Sequence, residues 1–186
     1  MQHLICFDMD RVLVDHMSTW QYVYDKLGIS NEDAFNLYNQ GKLDEWDWLK
    51  MDLALIKGSY PEITDKKMRE LCVGTPLMEG ISECLQWIVD EGHEVAIISG
   101  GMQETARDIA CMFPSEKPWR RRWGGINRHR GMDTKFHVFT NGWLERNDGS
   151  IDDYGRYQVQ MNGKGSIVKM LQRRLDIPKE RTISIG

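Results

Sequence analysis

The sequence lacks the long apolar stretches of a membrane protein or of a secretory precursor. Its N-terminus, MQHLICFDMD, has neither the basic start nor the sustained apolar stretch of a signal peptide. Elsewhere no apolar run approaches the roughly 20 residues that are needed to cross a membrane. We therefore expect a soluble, cytoplasmic protein that has no membrane partner.

Charge of one sign is not in large excess either, because 24 basic and 28 acidic residues give a net charge of -4. This balance excludes a chain that coats nucleic acid along its whole length. The four cysteines, Cys6, Cys72, Cys84 and Cys111, are widely separated, without the C-x-x-C spacing of a metal site. We expect them to be buried, reduced thiols.

The 186 residues are enough for one domain, or for a core domain that carries a smaller one. Short apolar runs at 3–7 and 94–98 end at acids and at small residues, as buried strands of a parallel sheet do. Apolar residues recur at intervals of three and four between Met17 and Leu71, which predicts a small helical subdomain. Further along, the pattern predicts helices at 81–89, 102–112 and 166–175 and strands at 136–144, 154–159 and 182–185.

Two carboxylates follow the first predicted strand. In FDMDRVLVD, Asp8 and Asp10 lie two residues apart where the strand ends, at the edge where α/β sheets place their chemistry. One carboxylate can attack phosphorus while the other transfers protons. The alternative is a purely structural pair that caps a helix.

Two later segments can complete a phosphate site. Ser99 and Gly100 end the second predicted strand in VAIISGG, where a hydroxyl and backbone N–H groups at a helix N-terminus suit a phosphate oxygen. Lys164, in NGKGS ahead of another helix, supplies a positive charge at a turn flanked by glycine. Taken singly, Ser99 can be only a helix cap and Lys164 only a solvated lysine.

In this order, FDMDRVLVD, IISGG and the Lys164 segment resemble the first three motifs of the haloacid dehalogenase superfamily. GISECLQWIVDEGHEVAIISGG, NGWLERNDGSIDDYG and GKGSIVKML are similar in type and spacing to its phosphoserine phosphatase-like branch. The resemblance implies an α/β fold with a Rossmann-like, three-layer parallel-sheet core at 1–15 and 76–186. It also implies a small helical cap at 16–75, inserted after the first strand.

The same resemblance implies a Mg²⁺-dependent phosphatase that hydrolyses a small phosphate monoester through an aspartyl-phosphate. Asp8 is then the nucleophile and Asp10 the general acid/base, while Ser99, Gly100 and Lys164 bind the phosphate. The Mg²⁺ is held by the Asp8 carboxylate, the Asp10 backbone carbonyl and a further acid from a fourth motif.

Three features depart from the family pattern. The chain ends at Gly186, where the acid of the fourth motif should begin, so we expect either a longer protein or a member without this metal ligand. Arg11 replaces the usual small residue after the second aspartate, and it either contacts a substrate anion or points to solvent. Met17 and Asp52 stand where phosphoserine enzymes carry a Glu and an Arg that bind serine, so phosphoserine is not the expected substrate.

One segment matches none of these motifs. Residues 118–131, PWRRRWGGINRHRG, combine tryptophan with five arginines, a composition that suits phosphates and stacked rings. We interpret it as a solvated loop or, alternatively, as the site of a larger anionic ligand or a binding partner. The arginines are Arg120, Arg121, Arg122, Arg128 and Arg130.

The sequence leaves the natural substrate open and keeps two alternatives to the phosphatase. One is a catalytically impaired or silent binding protein on the same fold, which the missing fourth motif suggests. The other is a phosphotransferase, because these motifs do not specify the acceptor of the phosphoryl group.

Overall fold

The computed structural model describes residues 1–115, 128–129 and 131–186. A four-stranded parallel sheet forms the centre, in the strand order β5-β2-β1-β6. A separate antiparallel pair joins β3 and β4. The strands are β1 (Leu4–Phe7), β2 (Glu94–Met102), β3 (Arg128–His129), β4 (Met132–Asp133), β5 (Phe136–Asn141) and β6 (Thr182–Ile185).

Helices cover both faces of the sheet, which explains why β1 is apolar at every position. Ile5 and Phe7 pack on the face covered by α5 (Ile81–Asp90) and α6 (Gln103–Cys111). Leu4 and Cys6 point the other way and pack with residues of α7 (Lys164–Leu175). Successive side chains of a strand alternate between faces, so a strand buried on both sides needs apolar residues throughout. The structure thus has the predicted three-layer arrangement.

Four helices lie between β1 and α5, and their starts follow from local sequence. Side chains of Ser18, Asp44 and Thr64 accept hydrogen bonds from the first backbone N–H groups of three of these helices, which stabilises helix N-termini. Their apolar cluster also contains Met102 and Trp143 from the rest of the chain, so the domain boundary at residue 75 stays a prediction. The helices are α1 (Thr19–Leu27), α2 (Glu32–Asn39), α3 (Glu45–Ser59) and α4 (Asp65–Cys72).

The strand predicted at 154–159 is wrong. The Asn141 side chain supplies hydrogen bonds that a neighbouring strand would otherwise make to this segment. Its Oδ1 accepts from the N–H groups of Gln158 and Val159 at 2.8 and 2.9 Å, and its Nδ2 donates to the Val159 carbonyl at 2.9 Å. Arg156 pairs with Gly142 in an isolated antiparallel bridge, so this segment forms a single bridge and not a strand.

None of the four cysteines, all of them described, forms a disulfide, and two of them match the expected burial. Cys6 and Cys72 are buried, and burial raises the pKa of each thiol to about 12. Cys84 is exposed and Cys111 half-buried. The expectation of four buried thiols was wrong for these two, which lie on helices facing solvent in part.

The arginine- and tryptophan-rich segment 118–131 lies outside the described residues, apart from Arg128, His129 and Gly131. Both interpretations, a solvated loop and a site for a larger anion or a partner, therefore stay untested. Within the described part of the chain, no helix is both long and apolar enough to span a membrane.

Candidate active site

Asp8 lies at the carboxyl end of the sheet, directly after β1. Its N–H donates to the Ile185 carbonyl of β6 at 2.8 Å, which fixes the backbone at this point. The carboxylate accepts from the Met9 N–H through Oδ1 at 2.8 Å and from Lys164 Nζ through Oδ2 at 2.5 Å. Lys164 is the first residue of α7, so this helix delivers a cation to the carboxylate that follows β1.

A tight loop places Asp10 beside Asp8. The Met9 carbonyl accepts from the N–H groups of Leu13 and Val14 at 2.9 and 3.0 Å, and Arg11 has the left-handed φ of 61°. This φ is uncommon for a residue other than glycine, so the loop is held by its surroundings. It turns the chain back so that both carboxylates border one cavity.

Burial raises the pKa of Asp10 to about 6. Hydrogen bonds from Thr19, including the Thr19 N–H to Asp10 Oδ1 at 2.9 Å, oppose this shift, and the nearby charge of Asp8 adds to it. A carboxyl with a pKa in this range exchanges its proton readily near neutral pH. Asp10 is therefore suited to donating and accepting protons.

Thr19 and Gly101 hold Asp10 against the end of β2, and the sequence did not single out either residue. The Thr19 hydroxyl oxygen accepts a hydrogen bond from the Met102 N–H at 2.8 Å, and the Thr19 residue is 1% exposed. A Cβ on Gly101 would lie 2.6 Å from the Thr19 Oγ1 and 2.9 Å from Asp10 Oδ2. Only glycine permits this close approach, so Gly101 is a positioning residue for Asp10.

Ser99 and Gly100 also border the cavity. The buried Ser99 hydroxyl oxygen accepts from the Gly101 N–H at 3.1 Å, which leaves its O–H free to donate to a ligand. The Gly100 carbonyl accepts from the Trp20 indole N–H at 3.2 Å, so α1 is tied to this loop. The structure thus brings together all five residues predicted for catalysis and phosphate binding, while their roles stay predictions.

The cavity has a volume of about 620 Å³ and extends from Asp8 to side chains of α1, α2 and α3. Of the predicted substrate contacts, Met17 and Asp52 border it, the first 67% exposed and the second 5% exposed. Arg11 is not among the described residues that line it and instead contacts the Met17 Sδ through Nη1 at 3.0 Å.

The Asp8 carboxylate and the Asp10 backbone carbonyl are the oxygen ligands expected for a magnesium ion, and both residues border the cavity. Mg²⁺ prefers oxygen ligands and is commonly held by one or two carboxylates together with substrate phosphate and water. Among residues 1–115, 128–129 and 131–186, no group of three or more His, Cys, Asp or Glu side chains is placed to hold a metal. Within these residues the Asp8 carboxylate and the Asp10 carbonyl therefore fit the ion, and phosphate and water would supply further ligands.

Comparison with known proteins agrees with the fold and the motifs. No family model matches the chain. It is 25% identical to the phosphoserine phosphatase of Wolinella succinogenes over 186 residues, which cover 98% of this chain and 78% of the relative. It is also 25% identical to the phosphoserine phosphatase of Methanocaldococcus jannaschii over 185 residues, which cover 98% and 76%.

Solved structures give the same result for the fold. A phospho-aspartyl intermediate analogue of phosphoserine phosphatase matches with a TM-score of 0.70 and 21% identity, over 100% of this chain and 78% of that one. A HAD family hydrolase from Salmonella enterica matches with a TM-score of 0.73 and 21% identity, over 97% and 54%. The predicted α/β parallel-sheet fold and the resemblance to this superfamily are confirmed.

Proposed function

We propose that this chain, a phosphoserine phosphatase-like phosphoric monoester hydrolase of the haloacid dehalogenase superfamily, transfers the phosphoryl group of its substrate to Asp8 and then to water. One observation carries the proposal. The Asp8 carboxylate borders the cavity with Lys164 Nζ at 2.5 Å, and the buried Asp10 borders the same cavity. A carboxylate nucleophile with a proton donor beside it is the arrangement that a covalent phosphoenzyme requires.

The two aspartates divide the chemistry. An Asp8 oxygen forms a bond to phosphorus while the ester P–O bond breaks, and protonated Asp10 gives its proton to the departing alkoxide. Asp10, now ionised, takes a proton from water as the water oxygen attacks phosphorus. Inorganic phosphate and free Asp8 result, with Asp10 protonated again. The pKa of about 6 suits Asp10 to both directions of transfer.

Lys164 and Ser99 stabilise the phosphate. The Lys164 ammonium, already within hydrogen-bond distance of Asp8, offsets negative charge as it moves between the ester and the carboxylate. The Ser99 hydroxyl donates to a phosphate oxygen. Mg²⁺ held by the Asp8 carboxylate and the Asp10 backbone carbonyl would neutralise further phosphate charge.

We also propose that phosphoserine is not the preferred substrate. Met17 carries no charge, and Asp52 is an acid on the cavity wall, so neither can pair with a substrate carboxylate. The acceptor is proposed to be water. A phosphotransferase would use the same first half-reaction, and faster release of the alcohol than of inorganic phosphate in the presence of an added alcohol would identify it.

Turnover of an aryl phosphate in magnesium buffer tests the proposal. Asp8→Asn should abolish turnover because the neutral amide cannot form the acyl-phosphate. Asp15→Asn is the matched control, since Asp15 is exposed and lies outside the described cavity lining. Turnover near wild type in Asp8→Asn would remove Asp8 from its role, and an inactive wild type would favour the silent binding protein.

A further inference from the structure

The far end of the cavity carries acids. Glu32, Glu45 and Asp52 line it from α2 and α3. Among the described residues of the lining, the one lysine or arginine is Lys164, and it is bonded to Asp8. The wall that faces the alcohol part of a bound phosphate ester is therefore negatively charged, opposite in sign to the phosphate end.

Asp52 is the most enclosed of these acids. Its residue is 5% exposed, and its Oδ1 accepts from the Asn31 side-chain amide. Within the described chain no lysine or arginine pairs with it, although buried carboxylates normally have a cationic partner. A carboxylate that faces a cavity without such a partner is suited to a cation supplied by a ligand.

The Tyr24 hydroxyl lies beside Asp52. Tyr24 is 5% exposed and borders the cavity, and its hydroxyl is close enough to the Asp52 carboxylate to interact with it. A tyrosine hydroxyl that faces a carboxylate with its O–H keeps its oxygen lone pairs available to a second donor. A donor from a bound ligand would satisfy the Tyr24 oxygen.

Aromatic rings complete this end of the cavity. Trp48 and Phe35 both line it, and their ring centroids lie 6.2 Å apart in an edge-on arrangement. Ring faces attract ammonium groups, most strongly where water is excluded. Rings, a carboxylate and a hydroxyl oxygen together match an ammonium group, which has three donors and one positive charge.

We propose that the Asp52 end of the cavity binds a protonated amine, so that the substrates are small phosphate monoesters of amino alcohols. The inference rests on the proposed function for the phosphate end. The ammonium group donates to the Asp52 carboxylate and to the Tyr24 hydroxyl oxygen, and it lies against the ring of Trp48. A carboxylate on the same substrate, as in phosphoserine, is repelled by this wall.

Binding separates this inference from catalysis. We would measure the affinity of ω-aminoalkyl phosphonates and of alkyl phosphonates of matched length by calorimetry, because their P–C bond is not cleaved. Wild type should prefer the amine at the best chain length by roughly tenfold or more, as expected for a charge-assisted hydrogen bond. Asp52→Asn should remove that preference and Tyr24→Phe should reduce it. Asp33→Asn, which removes an exposed charge from α2 outside the described lining, should retain it.

Each outcome has a distinct meaning. Equal affinity of amine and alkyl phosphonates in wild type, or an amine preference that survives in both Asp52→Asn and Tyr24→Phe, would overturn the inference. Tyr24→Phe keeps the test valid if Asp52→Asn fails to fold. Failure of the proposed function would appear separately, as amine-selective binding without turnover of any phosphate ester.

Discussion

Replacing Asp52 by asparagine should stabilise the protein at neutral pH while weakening amine binding. Burial raises the pKa of Asp52 from 3.8 to about 6, and the polar groups of Tyr24, Asn31 and Trp48 around it only partly oppose the shift. A difference of one in pKa between the folded and the unfolded protein corresponds to about 1.36 kcal/mol. The ionised carboxylate therefore lowers the free energy of unfolding at pH 7 by about 3 kcal/mol.

The amide of Asp52→Asn has nearly the same shape as the carboxylate and carries no charge. Its oxygen can still accept from Asn31, and its NH₂ can donate to the Tyr24 hydroxyl oxygen. The variant should therefore gain about 3 kcal/mol in the free energy of unfolding at pH 7. For a chain of this length that gain raises Tm by roughly 6–12 °C.

The pH dependence gives the sign of the effect. Between about pH 4 and pH 6, Asp52 holds its proton more tightly in the folded protein than in the unfolded chain. The contribution of Asp52 to the free energy of unfolding of the wild type is therefore fully present at low pH and is lost as pH rises. The amide does not titrate. The stability difference between Asp52→Asn and wild type should therefore be near zero at about pH 4 and reach its full value at about pH 7.

Thermal and urea unfolding across this pH range measures the difference. Asp33→Asn, which changes an exposed acid on α2, should stay within about 0.5 kcal/mol of wild type throughout. A variant that is less stable than wild type at pH 7 would refute the reasoning about burial. A difference that does not change with pH would show that Asp52 does not titrate in this range.

Three further perturbations test the rest of the site. Gly101→Ala should lower turnover of an aryl phosphate by tenfold or more, because the new Cβ would lie 2.9 Å from Asp10 Oδ2. Gly92→Ala is the control and should change stability alone, because a Cβ at Gly92 meets open space. Thr19→Val should lower both kcat and the free energy of unfolding, the latter by about 1–3 kcal/mol, because the Met102 N–H loses its buried acceptor. If the arginine-rich segment contacts a larger anion, changing three of its arginines together to serine should raise KM for a nucleotide but not for an aryl phosphate. The KM for the nucleotide should also depend less on salt concentration. Unchanged KM for both substrates would exclude that role. The three are Arg120, Arg121 and Arg122.

The placement of the phosphate end was predictable from sequence. Asp8 and Ser99 each follow an apolar run, and Lys164 precedes a helical pattern. Because the carboxyl ends of parallel strands meet at one edge of the sheet, such residues converge in any fold of this class. The order of the motifs then gave the resemblance to the haloacid dehalogenase superfamily, which implies such a fold.

The support around Asp10 was not predictable in the same way. Thr19 reads in the sequence as the start of a helix, and its contact with the Met102 N–H joins residues 83 positions apart. Gly101 follows Gly100, and only the packed structure shows which of the two a side chain would disrupt. These features depend on how α1 docks against β2, which no local pattern specifies.

The acid-lined end of the cavity was likewise not predictable from local sequence patterns. The resemblance to phosphoserine enzymes predicted Asp52 as a substrate contact, but the polar groups around it, from Tyr24, Asn31 and Trp48, come from three separate segments. The strand wrongly predicted at 154–159 has a related cause. The Asn141 side chain takes the backbone hydrogen bonds of Gln158 and Val159, and Arg156 forms an isolated bridge with Gly142.

Covalent trapping tests the central claim most directly. The full chain would be mixed with an aryl phosphate in magnesium buffer, quenched in acid during turnover and reduced with borohydride, which converts an aspartyl-phosphate to homoserine. Peptide mass spectrometry should then find homoserine at Asp8 and at no other aspartate, with Asp8→Asn as the blank. Turnover without modification at Asp8, or modification at a different residue, would contradict the account.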